Sequence, residues 1–137
     1  MHRMSERMLQ IGEVAERVGL SLRTVRYYEE MGLLTPEKRT DGGFRLFTEE
    51  HVERLSLIKQ MKPLGFSVQE MRDLLQARAT AGDAEVGAGA RERAAQLIVA
   101  FAAAAAQRCV ELREQLAVAE AFAEQLRRET RRRPSNT

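Results

Sequence analysis

The sequence predicts a mainly α-helical protein: a small helical head that carries a short β-hairpin, followed by one long coiled-coil helix. Three observations predict it. Two short apolar-periodic stretches near the start of the chain are stopped by Gly19 and Gly32. An Asp41-Gly42-Gly43 turn separates two short extended pieces. Residues 91–130 contain neither glycine nor proline and keep an apolar spacing that alternates between four and three.

The totals set bounds on this picture. The 137 residues suit one domain, or one small domain plus an extension. The hydrophobic share of 44% is inflated by alanine, including Ala102–Ala106. A core beyond about 70 to 80 residues is therefore not expected, and oligomerisation would help stability. A net charge of +2 does not by itself mark a nucleic-acid binder, so such a role must rest on where the basic groups sit. Cys109 is the only cysteine, which excludes an internal disulfide and suits a reducing cytoplasm. The start of the chain lacks the apolar stretch of a signal peptide, and no run approaches membrane-spanning length. The expectation is a soluble, cytoplasmic protein with no membrane partner.

Residues 1–8 are polar and expected to fray. Ile11, Val14, Ala15 and Val18 mark one face of a first helix, which Gly19 ends. A tight turn through Gly19 and Leu20 feeds a second helix with Ser21 as its N-cap and Val25, Tyr28 and Met31 as its apolar stripe. Gly32 stops it. Two short helices joined by a three- or four-residue turn containing glycine form a helix-turn-helix signature.

Pro36 keeps the helix from resuming, and the Asp41-Gly42-Gly43 turn leads into Phe44-Arg45-Leu46-Phe47, read as a hairpin wing. Thr48 caps a third helix with Glu49 and Glu50 in its first turn and Val52, Leu55, Ile58 and Met61 inward. Residues 63–66 interrupt it. Ser67 and Glu70 form a capping box for a fourth helix that buries Met71, Leu74 and Leu75. The stretch 78–90 is small and glycine-rich, and reads as a flexible linker. From 91 to 130 the seam runs Ile98, Ala102, Ala105, Cys109, Leu112, Leu116, Ala119, Ala123 and Leu126. These are a and d positions over four heptads, too long for the head to bury, so a partner chain is implied. The tail 131–137 is basic and expected to be disordered.

The second helix holds the chemistry. Opposite its apolar stripe stand Arg23, Thr24, Arg26 and Tyr27, a face of guanidinium, hydroxyl and phenol groups suited to a polyanion. Glu29 either holds Arg26 in place at helical spacing or makes a plain surface pair. Arg39 and Arg45 flank the wing turn and could meet phosphate or a minor groove; the alternative is cross-strand solvation. Lys59 and Lys62 are either backbone clamps or part of a solvated face.

Cys109 reads as a small hydrophobe on the seam. The sharper alternative is that an antiparallel pair, centred near Leu112, brings two Cys109 side chains together. Leu97, Phe101, Val118 and Phe122 form a second apolar stripe, either packing or the wall of an effector groove. His2 and His51 stand alone, and no nucleophile elbow or phosphate loop is present. No enzyme, catalytic residue, metal site or cofactor is expected. A soft metal needs at least two good ligands, which Cys109 alone does not supply.

The motif set T-x-R-Y-Y-E, G-L-L-x-P, G-G-F-R-L-F and L-G-F-S-x-x-E closely resembles the DNA-binding domain of the MerR (mercury-resistance-regulator) family of bacterial transcription regulators. The resemblance covers about residues 9–77, and the order of head, linker and long helix extends it over nearly the whole chain. It implies a winged helix-turn-helix head at 9–77, a linker at 78–90, an antiparallel coiled-coil dimerisation helix at 91–130 and a tail at 131–137. It further implies a homodimer on double-stranded promoter DNA, with RNA polymerase as a further partner and with distortion of the promoter as its mechanism.

The DNA-binding set on this reading is Ser21, Arg23, Thr24, Arg26, Tyr27, Arg39, Gly43, Phe44, Arg45, Lys59 and Lys62. The dimerisation set is Ile98, Ala105, Cys109, Leu112, Leu116, Ala119 and Leu126. Family members usually have tyrosine where Phe44 and Phe47 stand, so the packing is kept and the hydroxyls are lost. The alternative function is a DNA-bending architectural or recombination-directing protein with the same head. The effector, if any, is unknown from sequence.

Overall fold

The computed structural model describes residues 7–39 and 41–132. Its elements run β1 (Leu9–Gln10), α1 (Ile11–Val18), α2 (Leu22–Glu30), β2 (Lys38–Arg39), β3 (Arg45–Phe47), α3 (Glu49–Met61), α4 (Val68–Ala81) and α5 (Ala88–Arg132). Lys62–Leu64 form a 3-10 turn between α3 and α4. The chain divides into two units, Met1–Ile98 and Val99–Thr137.

In the first unit, α1 and α2 form the helix-turn-helix. Gly19 adopts φ +79° and its N–H donates to the Ala15 carbonyl at 2.9 Å, closing α1. The side chain of Ser21 caps α2 by accepting the Thr24 N–H at 3.1 Å. At the other end Gly32 N–H donates to Glu29 O and Leu33 N–H to Tyr28 O, both at 3.0 Å. That paired closure is a Schellman turn. It redirects the chain so that Leu33 and Leu34 enter the core at 1% exposure each, a role the helix periodicity did not reveal. Met31, expected on the apolar stripe, is exposed. It is the C-cap residue, with φ −80° and ψ 3°, so the helical period no longer places it.

The hairpin exists as read, with Lys38 opposite Leu46 and Arg39 opposite Arg45. A strand not anticipated completes it: β1 pairs antiparallel with β3, Leu9 opposite Phe47, giving the order β1-β3-β2. Two residues carry no visible period, so sequence could not declare this strand. The pairing nonetheless seals Leu9 and Phe47, both fully buried.

Around them Val14, Val25, Tyr28, Leu55, Ile58 and Met71 build the core. Fully burying one such aliphatic or aromatic side chain is worth about 1.5–3 kcal/mol. Leu74, expected inward, is only partly buried, while Ala77 is buried in the next turn.

The α3 cap differs from expectation in its partner. Thr48 is buried, and its N–H donates to His51 Nδ1 at 2.9 Å. His51, expected to stand alone, is half-buried with its ring 5.4 Å from that of Phe47, edge to face. Burial pushes its pKa below the ordinary 6.5, against an opposing contact with the Thr35 backbone. The α4 capping box is present: Glu70 N–H donates to Ser67 Oγ at 3.0 Å and Ser67 N–H to Glu70 Oε1 at 2.9 Å.

Helix takes up both ends of the stretch expected as a linker, because its alanines extend α4 to Ala81 and start α5 at Ala88. Ala94, near the start of α5, is 8% exposed. Arg7 ion-pairs with Glu13, so the end of the stretch expected to fray is tied down; the rest of it, 1–6, lies outside the described residues. Arg131 and Arg132, expected in a disordered tail, belong to α5, and 133–137 also lie outside the described residues.

The second unit is the remainder of α5, a helix of 45 residues in all, roughly 68 Å long at 1.5 Å per residue. It leaves Leu112, Leu116 and Leu126 exposed on one side and Val118 and Phe122 beside them. By length and composition alone this helix is apolar enough to cross a membrane, with a stretch of mean hydropathy 1.3. The expectation that no run approaches that length is corrected. Its alanines sum to membrane-like hydropathy although few large side chains are present.

Candidate nucleic-acid interface

Helix α2 begins sharply at the Ser21 cap and ends sharply at the Gly32 turn, which fixes the rotation of its faces. Val25 and Tyr28 are buried at 0% and 3% exposure. Tyr28 is thereby a core residue, and burial raises its phenol pKa. Ser21, Arg23, Arg26 and Tyr27 lie exposed, and Thr24 is half-buried. The Thr24 hydroxyl oxygen accepts from Ser21 Oγ at 2.9 Å. The Tyr27 ring leans on Tyr28, centroids 5.5 Å apart and tilted by 57°, which orients its phenol outward. One helix face thus offers two guanidinium groups, the Thr24 hydroxyl and a phenol, a donor set that base edges and phosphates accept from.

Helix α2 is braced by basic side chains that sequence did not assign to it. Arg72 of α4 donates to the Met31 carbonyl and Arg54 of α3 donates to the Leu33 carbonyl at 3.3 Å. These cover the oxygen-rich end of α2, where cations are favoured. Helix α1 is held in the same manner. Lys59, expected as a backbone clamp or surface charge, donates from Nζ to the Val18 carbonyl at 2.8 Å. Arg17 donates to Glu49 across α1 and α3 at 2.8 Å, and that hydrogen bond holds the Glu49 carboxyl below its ordinary value. No local spacing announces such pairs, since their partners lie tens of residues away. Lys62 begins the 3-10 turn and is exposed.

The wing is tied to α2 through charge. Arg45 Nε lies 2.9 Å from Glu29 Oε2, with the Glu29 side chain 13% exposed. Glu29 thus pairs across to the wing, a partner that helical spacing does not announce. Phe44 is 61% exposed beside Gly43, which takes φ +82° in the turn. Arg39 sits in β2 opposite Arg45; its side chain lies outside what the structure describes. The structure therefore places Ser21, Arg23, Thr24, Arg26 and Tyr27 on one helix, links Arg45 to that helix, and sets Lys59 to structural work. Among the described residues, no three His, Cys, Asp or Glu side chains group as a metal site.

Residues 9–78 match the model of the MerR HTH family regulatory proteins, and residues 52–128 match that of the MerR DNA-binding region. The transcriptional regulator CueR of Yersinia pestis is 43% identical over 67 residues, covering 49% of this chain and 48% of the relative. The regulator ZntR of Escherichia coli K12 is 44% identical over 71 residues, covering 52% and 50%. The chain spans about half the length of the curated relatives it matches. Among solved structures, a MerR family regulator from Bacillus cereus superposes with a TM-score of 0.61 at 24% identity, over 96% of this chain and 88% of that one. HiNmlR, a MerR family regulator lacking the sensor domain, bound to promoter DNA, gives 0.68 at 23% identity over 92% and 95%, a likeness of fold. With its helix-turn-helix head, its wing and most of its long helix inside the matched stretches, this chain belongs to the MerR family of regulatory proteins.

Proposed function

We propose that the protein is a homodimeric transcription regulator that binds a pseudo-palindromic promoter site and distorts it to control initiation by RNA polymerase in the bacterial cytoplasm. The observation that carries this reading is the face of exposed Arg23, Arg26 and Tyr27 and half-buried Thr24 on a helix whose back is locked into the core. On this reading α2 enters the major groove, where arginine and hydroxyl groups read base edges. Ser21, Gly43, Phe44, Arg45 and Arg39 meet the flanking backbone, and Lys62 adds a phosphate contact. Lys59 contributes indirectly, by fixing the end of α1 against α3.

The exposed seam of α5 supports the dimer. Ile98, Ala105, Cys109, Leu112, Leu116, Ala119 and Leu126 recur at coiled-coil spacing, which a partner helix exploits and a bilayer does not require. Two heads related by a two-fold axis call for a two-fold site. The domain reading follows: a DNA-binding head at 9–77, a connection at 78–90 and a dimerisation helix at 91–130. Footprinting on genomic fragments tests the proposal. One protected palindrome over a promoter is the expected result; even coverage of any DNA would favour an architectural role instead.

A further inference from the structure

Behind the end of α2, where α3 and α4 face it, lies a cavity of about 220 Å³. It is contained within the first unit. Its lining has two kinds of surface. Leu33 and Leu75, at 1% and 9% exposure, give an apolar wall that Ala79 extends to the mouth. Arg54 from α3 and Arg72 from α4, both half-buried, give a cationic one. We propose that this cavity binds a small organic acid, with one carboxylate on the two arginines and a compact apolar body against the leucines.

The arginines lack a counter-charge. Among the described residues neither Arg54 nor Arg72 ion-pairs with a carboxylate. Their partners are neutral: Arg72 donates to the Met31 carbonyl and, at 2.9 Å, to Gln69 Oε1, and Arg54 donates to the Leu33 carbonyl. The other arginines that join elements of the head are built differently, since Arg17 meets Glu49 and Arg45 meets Glu29. A guanidinium carries five N–H donors. Bracing the end of α2 commits two on Arg72 and one on Arg54, so most of both forks stays uncommitted.

The two cations reach carbonyls only two residues apart, and like charges repel more strongly where half-buried than in water. An anion between them removes that cost. A carboxylate suits the position because its paired oxygens match the planar arginine fork.

The wall and the volume select the rest of the ligand. A bare inorganic anion would leave Leu33 and Leu75 facing water, whereas an apolar body covers them. The cavity exceeds several times the share of one water, about 30 Å³, yet falls below the roughly 300–1,000 Å³ of sites for drug-sized ligands. A nucleotide or a peptide is too large, and a single ring or a short chain is the right scale. Such a ligand would touch the same two side chains that anchor the end of α2, so ligand and exposed helix face would meet on one element.

Calorimetric titration of the full chain with benzoate, benzamide and inorganic phosphate tests the site. The expected result is saturable binding of benzoate, with neutral benzamide and wall-less phosphate each weaker by roughly tenfold or more. No binding of benzoate overturns the site, equal affinity for benzamide overturns the role of the arginines, and equal affinity for phosphate overturns the apolar wall. Ala79→Phe, at an exposed position on α4, puts a ring into the mouth and should abolish benzoate binding; retained affinity overturns the location. Arg72→Lys keeps the charge but loses the fork, and should weaken benzoate roughly tenfold; unchanged affinity overturns the paired contact. These titrations contain no DNA, so their failure is distinct from a failure of operator binding.

Discussion

Gly19 sits at φ +79° between α1 and α2, and a Cβ built there would lie 2.9 Å from Lys59 Nζ. Replacing it by alanine therefore has two separable costs. The left-handed backbone costs a residue with a Cβ about 1–2 kcal/mol. The methyl group also displaces the ammonium from its 2.8 Å hydrogen bond to the Val18 carbonyl, a loss of about 1 kcal/mol. Gly19→Ala should thus destabilise the head by about 2–3 kcal/mol. In a Lys59→Met background the second cost is already incurred, so the same substitution should then cost only about 1–2 kcal/mol. Urea unfolding of the four proteins in this cycle measures both numbers. An equal cost of Gly19→Ala in both backgrounds would refute the close approach of Lys59. A neutral Gly19→Ala would refute the backbone argument altogether.

Arg26→Ala should weaken operator binding by about 10- to 100-fold if it reads a base pair, seen by fluorescence anisotropy. The same change should leave the melting temperature nearly unaltered, because Arg26 is exposed. His51 has a depressed pKa, so the unfolded chain takes up a proton first as pH falls. Its contribution to stability is complete above the ordinary 6.5 and is lost as pH drops through the lower folded value. Urea unfolding of wild type should decline over the interval just below pH 6.5. His51→Gln, which keeps an acceptor at the capping position, should flatten that interval; an unchanged slope would assign it to other groups. Finally, Glu29→Gln and Arg45→Ala should couple by about 0.5–1 kcal/mol in a double-mutant cycle of stability. Strict additivity would mean that wing and helix are not tied through that pair.

What sequence made legible is what is local in the chain. Ser21, Gly19, Gly32 and the Ser67–Glu70 box act within a few residues of themselves, and each stands where its spacing put it. The inward residues Val52, Leu55, Ile58 and Met61 followed from a period of three and four. The exposed face of α2 was readable in the same manner. What stayed hidden depends on partners far along the chain: β1 against β3, Lys59 on Val18, Arg54 on Leu33, Arg72 on Met31 and Arg45 on Glu29. Ranges of 21 to 41 residues separate the Arg54, Lys59 and Arg72 contacts. A lysine with such a partner has the same letter as one facing water, so Lys59 was indistinguishable from Lys62. Met31 shows the local rule failing at its own limit, since the period stops where the helix does.

Helix α5 runs from Ala88 to Arg132 without glycine, proline or any other break after Gly89. Its heredity is consequently stepwise. One inserted residue would turn everything beyond it by about 100° and carry the lower part of the Leu112, Leu116 and Leu126 side out of line, whereas seven would restore the face almost fully. Descendants can alter the outward positions one substitution at a time, but can change the length of this arm only in whole heptads. In the proposed dimer, the distance between paired operator halves is then inherited as a count of repeats.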